Sequence, residues 1–252
     1  MGGEMRVLDL FSGIGGFSLG LEAAGMETVA FCEFDKHAQS ILKKHWPDVP
    51  IHEDVRELDG KEYRGSIDVV CGGFPCQDLS SAGKQVGFEG DRSSLYREML
   101  RIISECRPRY AIFENVTGLL TGGQGRWFAK FLYDLDKIGF DAEWHCIPAS
   151  AIGACHHRDR VWVIAYPNSE RLKTCPPGEM ERKSRLPLKL VRSIEGWKRR
   201  SDITEPRFSR GDDGVSRRMD RKRIARLGNA VVPQIPEMIG RAIMEVENEY
   251  NQ

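Results

Sequence analysis

Apolar residues in the first 166 positions come in short runs that end in charge or glycine. Met5-Arg6-Val7-Leu8 ends at Asp9, and Thr28-Val29-Ala30-Phe31-Cys32 ends at Glu33. Ile67-Asp68-Val69-Val70-Cys71 ends at Gly72-Gly73, and Arg109-Tyr110-Ala111-Ile112-Phe113 ends at Glu114-Asn115. Runs of this length, bounded by turn residues, read as buried strands. Between them the spacing becomes helical. Phe17, Leu21 and Ala24 share a face up to Gly25, and a second helix runs from Lys36 to His45 before Trp46-Pro47. A third spans 93–106 with Leu95, Met99 or Leu100, and Ile103 on one side, and a fourth spans 127–138. Strands alternating with helices predict an α/β fold with a mostly parallel sheet. Two later strands, 140–147 and 161–166, are placed to close that sheet as an antiparallel hairpin. A last helix over 234–249 puts Ile235, Ile239, Ala242 or Ile243, and Val246 on one face.

Periodicity fades between these parts. From Pro167 to about Arg226 the chain is dominated by Pro, Arg, Lys, Ser and Gly. Trp197, Phe208 and scattered Leu and Ile argue for a small irregular domain there. The expected organisation is a domain over 1–166, a small basic domain over 167–222, and a segment over 223–252 that returns to the first.

Charge sharpens that division. The net charge of the 252 residues is zero, yet positions 171–226 hold 18 Lys and Arg against 8 Asp and Glu. A basic segment on an acidic body is the footprint of a protein that grips a polyanion. No apolar run approaches the roughly 20 residues of a membrane span. The N-terminus shows no charged-then-apolar signal pattern. Seven cysteines form no Cys-x-x-Cys pair, which points to reduced thiols in a cytoplasmic compartment and no zinc site. Cys155-His156-His157 invites a metal reading, but no second cluster completes a ligand set.

Candidate chemistry gathers at the strand ends. Leu10-Phe11-Ser12-Gly13-Ile14-Gly15-Gly16 is a glycine-rich turn between the first strand and first helix, a cradle in which a ligand approaches the backbone. Glu33 ends the second strand, where an acid can bind ribose hydroxyls. Asp54 follows a brief extended segment and either accepts from an adenine amino group or caps a turn. Gly72-Gly73-Phe74-Pro75-Cys76-Gln77 carries a thiol just past a strand end, presented as a nucleophile must be. The glycine- and serine-rich stretch 77–92 has the composition of a lid. Glu114 faces the same edge as Cys76, an exposed surface glutamate being the alternative.

In order along the chain, Asp9-Leu10-Phe11-Ser12-Gly13-Ile14-Gly15-Gly16, Pro75-Cys76-Gln77, Glu114-Asn115-Val116, Arg158-x-Arg160 and Gly228-Asn229-Ala230-Val231 form a set that resembles the DNA (cytosine-5-)methyltransferases of compact bacterial or phage type. The resemblance covers nearly the whole chain outside 167–222. It departs in two places. His156 stands where the family usually has Gln, and Arg217-Arg218-Met219-Asp220-Arg221 replaces a longer motif. It implies a Rossmann-like fold that depends on S-adenosylmethionine, with the basic segment as a target-recognition domain. By resemblance Cys76 attacks carbon 6 of a flipped-out cytosine, Glu114 holds its N3, and Arg158 and Arg160 hold its carbonyl and a neighbouring group. Phe11 stacks on adenine beside Ser12, Gly13, Gly15 and Gly16. Glu33 and Phe34 take the ribose side, Asp54 the amino group and Asn229 the methionine end, and Pro75 and Leu95 complete the cofactor site. No metal is implied. The expected partner is double-stranded DNA, bound by a monomer associated with the nucleoid, and a restriction endonuclease of the same system is a candidate second partner. A transfer-RNA cytosine-5 methyltransferase and a catalytically idle binding module remain the alternatives.

Overall fold

Seven strands form one sheet in the order β3-β2-β1-β4-β5-β7-β6. They are β1 (Arg6–Leu10), β2 (Glu27–Cys32), β3 (Ile51–His52), β4 (Val69–Gly72), β5 (Tyr110–Val116), β6 (Phe140–Pro148) and β7 (Asp159–Pro167). The structure is a computed structural model that describes residues 4–75, 95–152, 158–168 and 230–250. The first five strands in space are parallel, and β7 runs antiparallel between β5 and β6. The mostly parallel sheet and closing hairpin agree with the sequence pattern. The 77–92 and 167–222 stretches fall outside the described residues apart from Pro167, which ends β7, and Asn168.

Helices cover both faces, as the continuous apolar runs require. They are α1 (Gly16–Ala23), α2 (Lys36–His45), α3 (Leu95–Cys106), α4 (Gly118–Thr121), α5 (Arg126–Lys137) and α6 (Gln234–Tyr250). Leu8, Leu10, Val70, Phe113 and Val163 pack on one side with Met99 and Ile103 of α3 and Phe131 of α5. Val7, Val69, Ile112, Trp162 and Ile164 pack on the other with Leu21 of α1 and Met238, Ile239 and Ile243 of α6. The α1–α6 contact is close. A Cβ at Gly20 would lie 2.1 Å from the Pro233 carbonyl oxygen, so only glycine permits this approach.

Local signals explain where α2 starts. The Asp35 side chain accepts the amide N–H of His37 and Ala38, both at 2.9 Å. Lys43, Lys44 and His45 occupy its last turn and complement the helix dipole. The short α4 and the 3-10 turns at Gly60–Tyr63 and Ala149–Ile152 carry no periodicity and are not expected from the pattern.

Candidate active site

Strand register brings the functional positions to one edge. Leu10 lies opposite both Cys32 and Gly72, and Gly72 lies opposite Phe113. One residue further along each strand stand Phe11, Glu33, Gly73 and Glu114. This is the carboxyl edge of the sheet beside β1, where the order of strands turns, and ligands of open α/β sheets bind there.

The glycine-rich loop is braced from below. The Ser12 hydroxyl donates to the Asp9 carbonyl at 2.6 Å, and the Ser12 amide donates to the Cys32 carbonyl at 3.2 Å. Phe11, Gly13 and Gly15 have φ of 54°, 56° and 87°. For Phe11 that left-handed conformation costs on the order of 1 kcal/mol, which the surrounding bonds must offset. Gly15 lies against the Trp46 ring, where a Cβ would sit 2.6 Å from a ring carbon. A Cβ at Gly16 would meet the Val231 carbonyl oxygen at 2.5 Å, which brings the chain after Asn229 to the loop. Asn229 itself lies outside the described residues.

Glu33 braces the loop from above. Its carboxylate accepts the Gly13 amide through Oε2 and the Asp35 amide through Oε1, both at 2.7 Å. Each oxygen keeps lone pairs for a further donor. Beside it Phe34 is 74% exposed, a large apolar ring left in water. A Cβ at Gly13 would meet nothing within 4 Å, so the loop faces open space there. An acid with spare acceptor capacity, an uncovered aromatic face and an open glycine backbone suit a nucleoside. Phe11 is half-buried against the core and Leu95 begins α3 against the same core. Asp54 is engaged by Arg56, whose Nε donates to Oδ1 at 2.9 Å. An amino group reaching Asp54 would share it with that guanidinium.

Glu114 ends up buried on the same edge. It lies directly across from Trp162, with Arg160 two residues along β7 on the same face. Arg160 Nε lies 2.9 Å from Glu114 Oε1, and Arg158 Nη2 lies 3.9 Å from the same oxygen. Burial raises the Glu114 pKa above the usual carboxylate range, and the two guanidiniums pull against it. Burial and the neighbouring Arg160 lower the Arg158 pKa. A Cβ at Gly73 would lie 3.1 Å from Glu114 Oε2, so the loop leaving β4 passes close to the carboxyl. The Asn115 side chain donates to the Phe74 carbonyl at 3.2 Å and ties that loop to β5. Pro75 is the last described residue before Cys76, and Cys76 and His156 lie outside the described residues.

Some contributing residues carry no role in the sequence reading. Asn115 is the tether, and its signal was a carboxamide at the end of an otherwise apolar strand. Trp46 seats Gly15 and donates its ring N–H to Glu22 at 2.8 Å. Burial pushes the Cys32 and Cys106 thiols up to about 12, so neither is a nucleophile near neutral pH. Among the described residues no cluster could hold a metal ion, and no helix is long and apolar enough to cross a membrane.

Comparison with known proteins bears on this geometry. Residues 5–213 match the family model of C-5 cytosine-specific DNA methylase. The Type II methyltransferase M.Eco47II of Escherichia coli is 38% identical over 164 residues, covering 64% of this chain and 39% of that protein. The Type II methyltransferase M.HhaI of Haemophilus parahaemolyticus is 32% identical over 164 residues, covering 65% of this chain and 50% of its own. The chain thus spans half or less of the length of these relatives. A solved structure of a prophage-encoded E. coli protein, assigned as a DNA modification methyltransferase, superposes with a TM-score of 0.56 at 30% identity. That match covers 67% of this chain and 48% of the other. The S. pombe Dnmt2 methyltransferase shares the fold, with a TM-score of 0.51 at 22% identity over 66% of this chain and 50% of its own.

Proposed function

We propose that this chain, which belongs to the C-5 cytosine-specific DNA methylase family, transfers a methyl group from S-adenosylmethionine to carbon 5 of a cytosine in duplex DNA. The observation that carries the proposal is the buried Glu114 carboxyl, paired with Arg160 at 2.9 Å and set beside the loop that leads to Cys76.

S-adenosylmethionine, when bound, supplies an electrophilic methyl group. Glu33, Phe34 and the Phe11–Gly16 loop would hold its nucleoside, with Asp54, Pro75, Leu95 and Asn229 as further contacts. The chain's own residues must make carbon 5 nucleophilic, because the aromatic ring is a poor nucleophile. Cys76 adds as a thiolate to carbon 6, and the ring becomes an enamine with electron density at carbon 5. A free thiol titrates near 8.5, so the site must favour the anion or take its proton as the bond forms. Glu114 shares a proton with N3 and offsets the charge that develops there, a task suited to a carboxyl whose pKa burial raises. Arg160 and Arg158 fix that carboxyl and offer guanidinium N–H groups to the cytosine carbonyl or a flanking phosphate. After methyl transfer, loss of the carbon-5 proton to water re-forms the bond between carbons 5 and 6 as a double bond and expels Cys76 as a thiolate.

The target atom is hidden inside a duplex, so the base is flipped out at a cost of a few kcal/mol. The basic 167–222 segment is the proposed target-recognition part, gripping DNA phosphates. The Type II names of the relatives support a restriction endonuclease as a partner of the same system. The cytoplasm is the proposed compartment.

Expression in a methylation-deficient host, followed by genome-wide mapping of 5-methylcytosine, tests the proposal. A recurrent methylated sequence supports it. Methyl transfer by the purified protein to transfer RNA, with none to duplex DNA, overturns it.

A further inference from the structure

We propose that Asp9 is a positioning residue that clamps the glycine-rich loop at both ends and so sets the affinity for the cofactor. The inference rests on the reading of that loop as the S-adenosylmethionine cradle. Two bonds carry it. At the loop's entry the Asp9 main-chain carbonyl accepts the Ser12 hydroxyl at 2.6 Å. At its exit the Asp9 carboxyl accepts the Ser18 hydroxyl through Oδ2 at 2.7 Å. Ser18 lies in the first turn of α1, so residues 10–15 are strung between two contacts to one residue.

The cost of keeping a polar group here argues for a task. Asp9 and Ser18 are both fully buried. Asp9 Oδ1 makes no hydrogen bond of ordinary geometry among the described residues, the Ser18 amide and the Cys71 thiol being the other polar groups near the carboxyl. An unsatisfied buried polar atom is destabilising, and a leucine at this position would avoid it. Burial pushes the Asp9 carboxyl up to about 7; Ser18 opposes the rise and nearby Glu33 adds to it. Cys71 stands opposite Asp9 on β4, and burial and that carboxyl raise its thiol well above the ordinary range. Burial, helped by Glu33, Asp54 and last by Asp9, keeps the Cys32 thiol protonated. Asp9 thus also lies against β4, the strand that delivers Pro75.

Asparagine keeps the acceptor without the charge, and alanine removes it. Calorimetric titration of the 252-residue chain with S-adenosylmethionine separates the cases. Asp9→Asn is expected to bind within about threefold of wild type, and Asp9→Ala and Ser18→Ala each about tenfold or more weaker. The double variant is expected to be no weaker than either single one, because both remove the same bond. In the cofactor-free state, amide exchange at Gly13 and Gly15 should quicken in Ser18→Ala while β5 amides keep their rates. Should Asp9→Ala fail to fold, Ser18→Ala and Asp9→Asn still decide the matter. Wild-type affinity in Ser18→Ala, or a loss in Asp9→Asn as large as in Ser18→Ala, overturns the inference alone. A wild-type protein that binds no S-adenosylmethionine overturns the cofactor reading, and this inference falls with it.

Discussion

The carboxylate of Glu33 accepts the amide N–H of Gly13 across the mouth of the sheet at 2.7 Å. The acid that ends β2 therefore holds the loop that follows β1. Glu33 would serve twice, shaping the cradle and meeting the ribose in it.

Glu33→Ala is expected to weaken S-adenosylmethionine binding by about tenfold to a hundredfold, since it removes a charge-assisted bond to the loop as well as the proposed ribose contact. Glu33→Gln retains an acceptor and should lose less. Equilibrium titration of both variants decides this; equal losses would leave only the ribose contact.

Glu114→Gln should slow methyl transfer by about a hundredfold to ten-thousandfold, with cofactor affinity unchanged. The pH profile adds a second check. Burial holds the Glu114 pKa high, and Arg160 pulls it down. Removing Arg160 takes away that pull, so the carboxyl stays protonated to higher pH. If the protonated form is the working one, the alkaline limb of the single-turnover rate moves up in Arg160→Ala. A shift toward acid would contradict the assigned proton role.

Cys76→Ser should bind S-adenosylmethionine normally and transfer no methyl group. Wild-type protein should form a covalent complex with DNA carrying 5-fluorocytosine at the target site, because fluorine blocks the loss that expels the thiolate. Denaturing electrophoresis reads this directly. A verified target that yields no adduct would end the covalent scheme.

Asp9 also predicts a pH dependence of stability. Its folded pKa is about 7, against a reference value of 3.8. Between those values the folded protein binds more protons than the unfolded chain, so stability falls as pH rises from about 4 to about 7. Asp9→Asn lacks this slope and should gain on wild type by up to about 4 kcal/mol across the window. The buried part of Glu143, also near 7, slopes the same way in both proteins and cancels in the difference. Paired denaturant melts at pH 4.5 and 7.5 measure it, and a constant gap between the two proteins would refute it.

The sheet was legible because each strand is a short apolar run closed by a charge or glycine, and runs alternate with helical spacing. The hairpin of β6 and β7 was legible from its two runs, but its register was not. Register is what sets Arg160 on the face of Glu114, two residues from its cross-strand partner Trp162. The acids at 33 and 114 announce themselves by ending apolar strands. That Glu33 grips the Gly13 amide depends on a left-handed backbone 20 residues earlier, which no local pattern reports. Asp54 shows the converse, for its engagement by Arg56 is a local pairing that strand-end logic overlooks. Asp9 reads from sequence as one more acid at the sheet edge. The alternation of β1 turns it inward instead, beneath α1.

The close seat of Pro233 against Gly20 has a consequence for how the protein is made. Helix α1 leaves the ribosome well before α6, the helix that covers it. Until then Val7, Leu21 and Ile112 lack the cover of Met238, Ile239 and Ile243. The nascent chain therefore carries an open apolar flank until α6 has been made, and the cradle sets only once that helix docks.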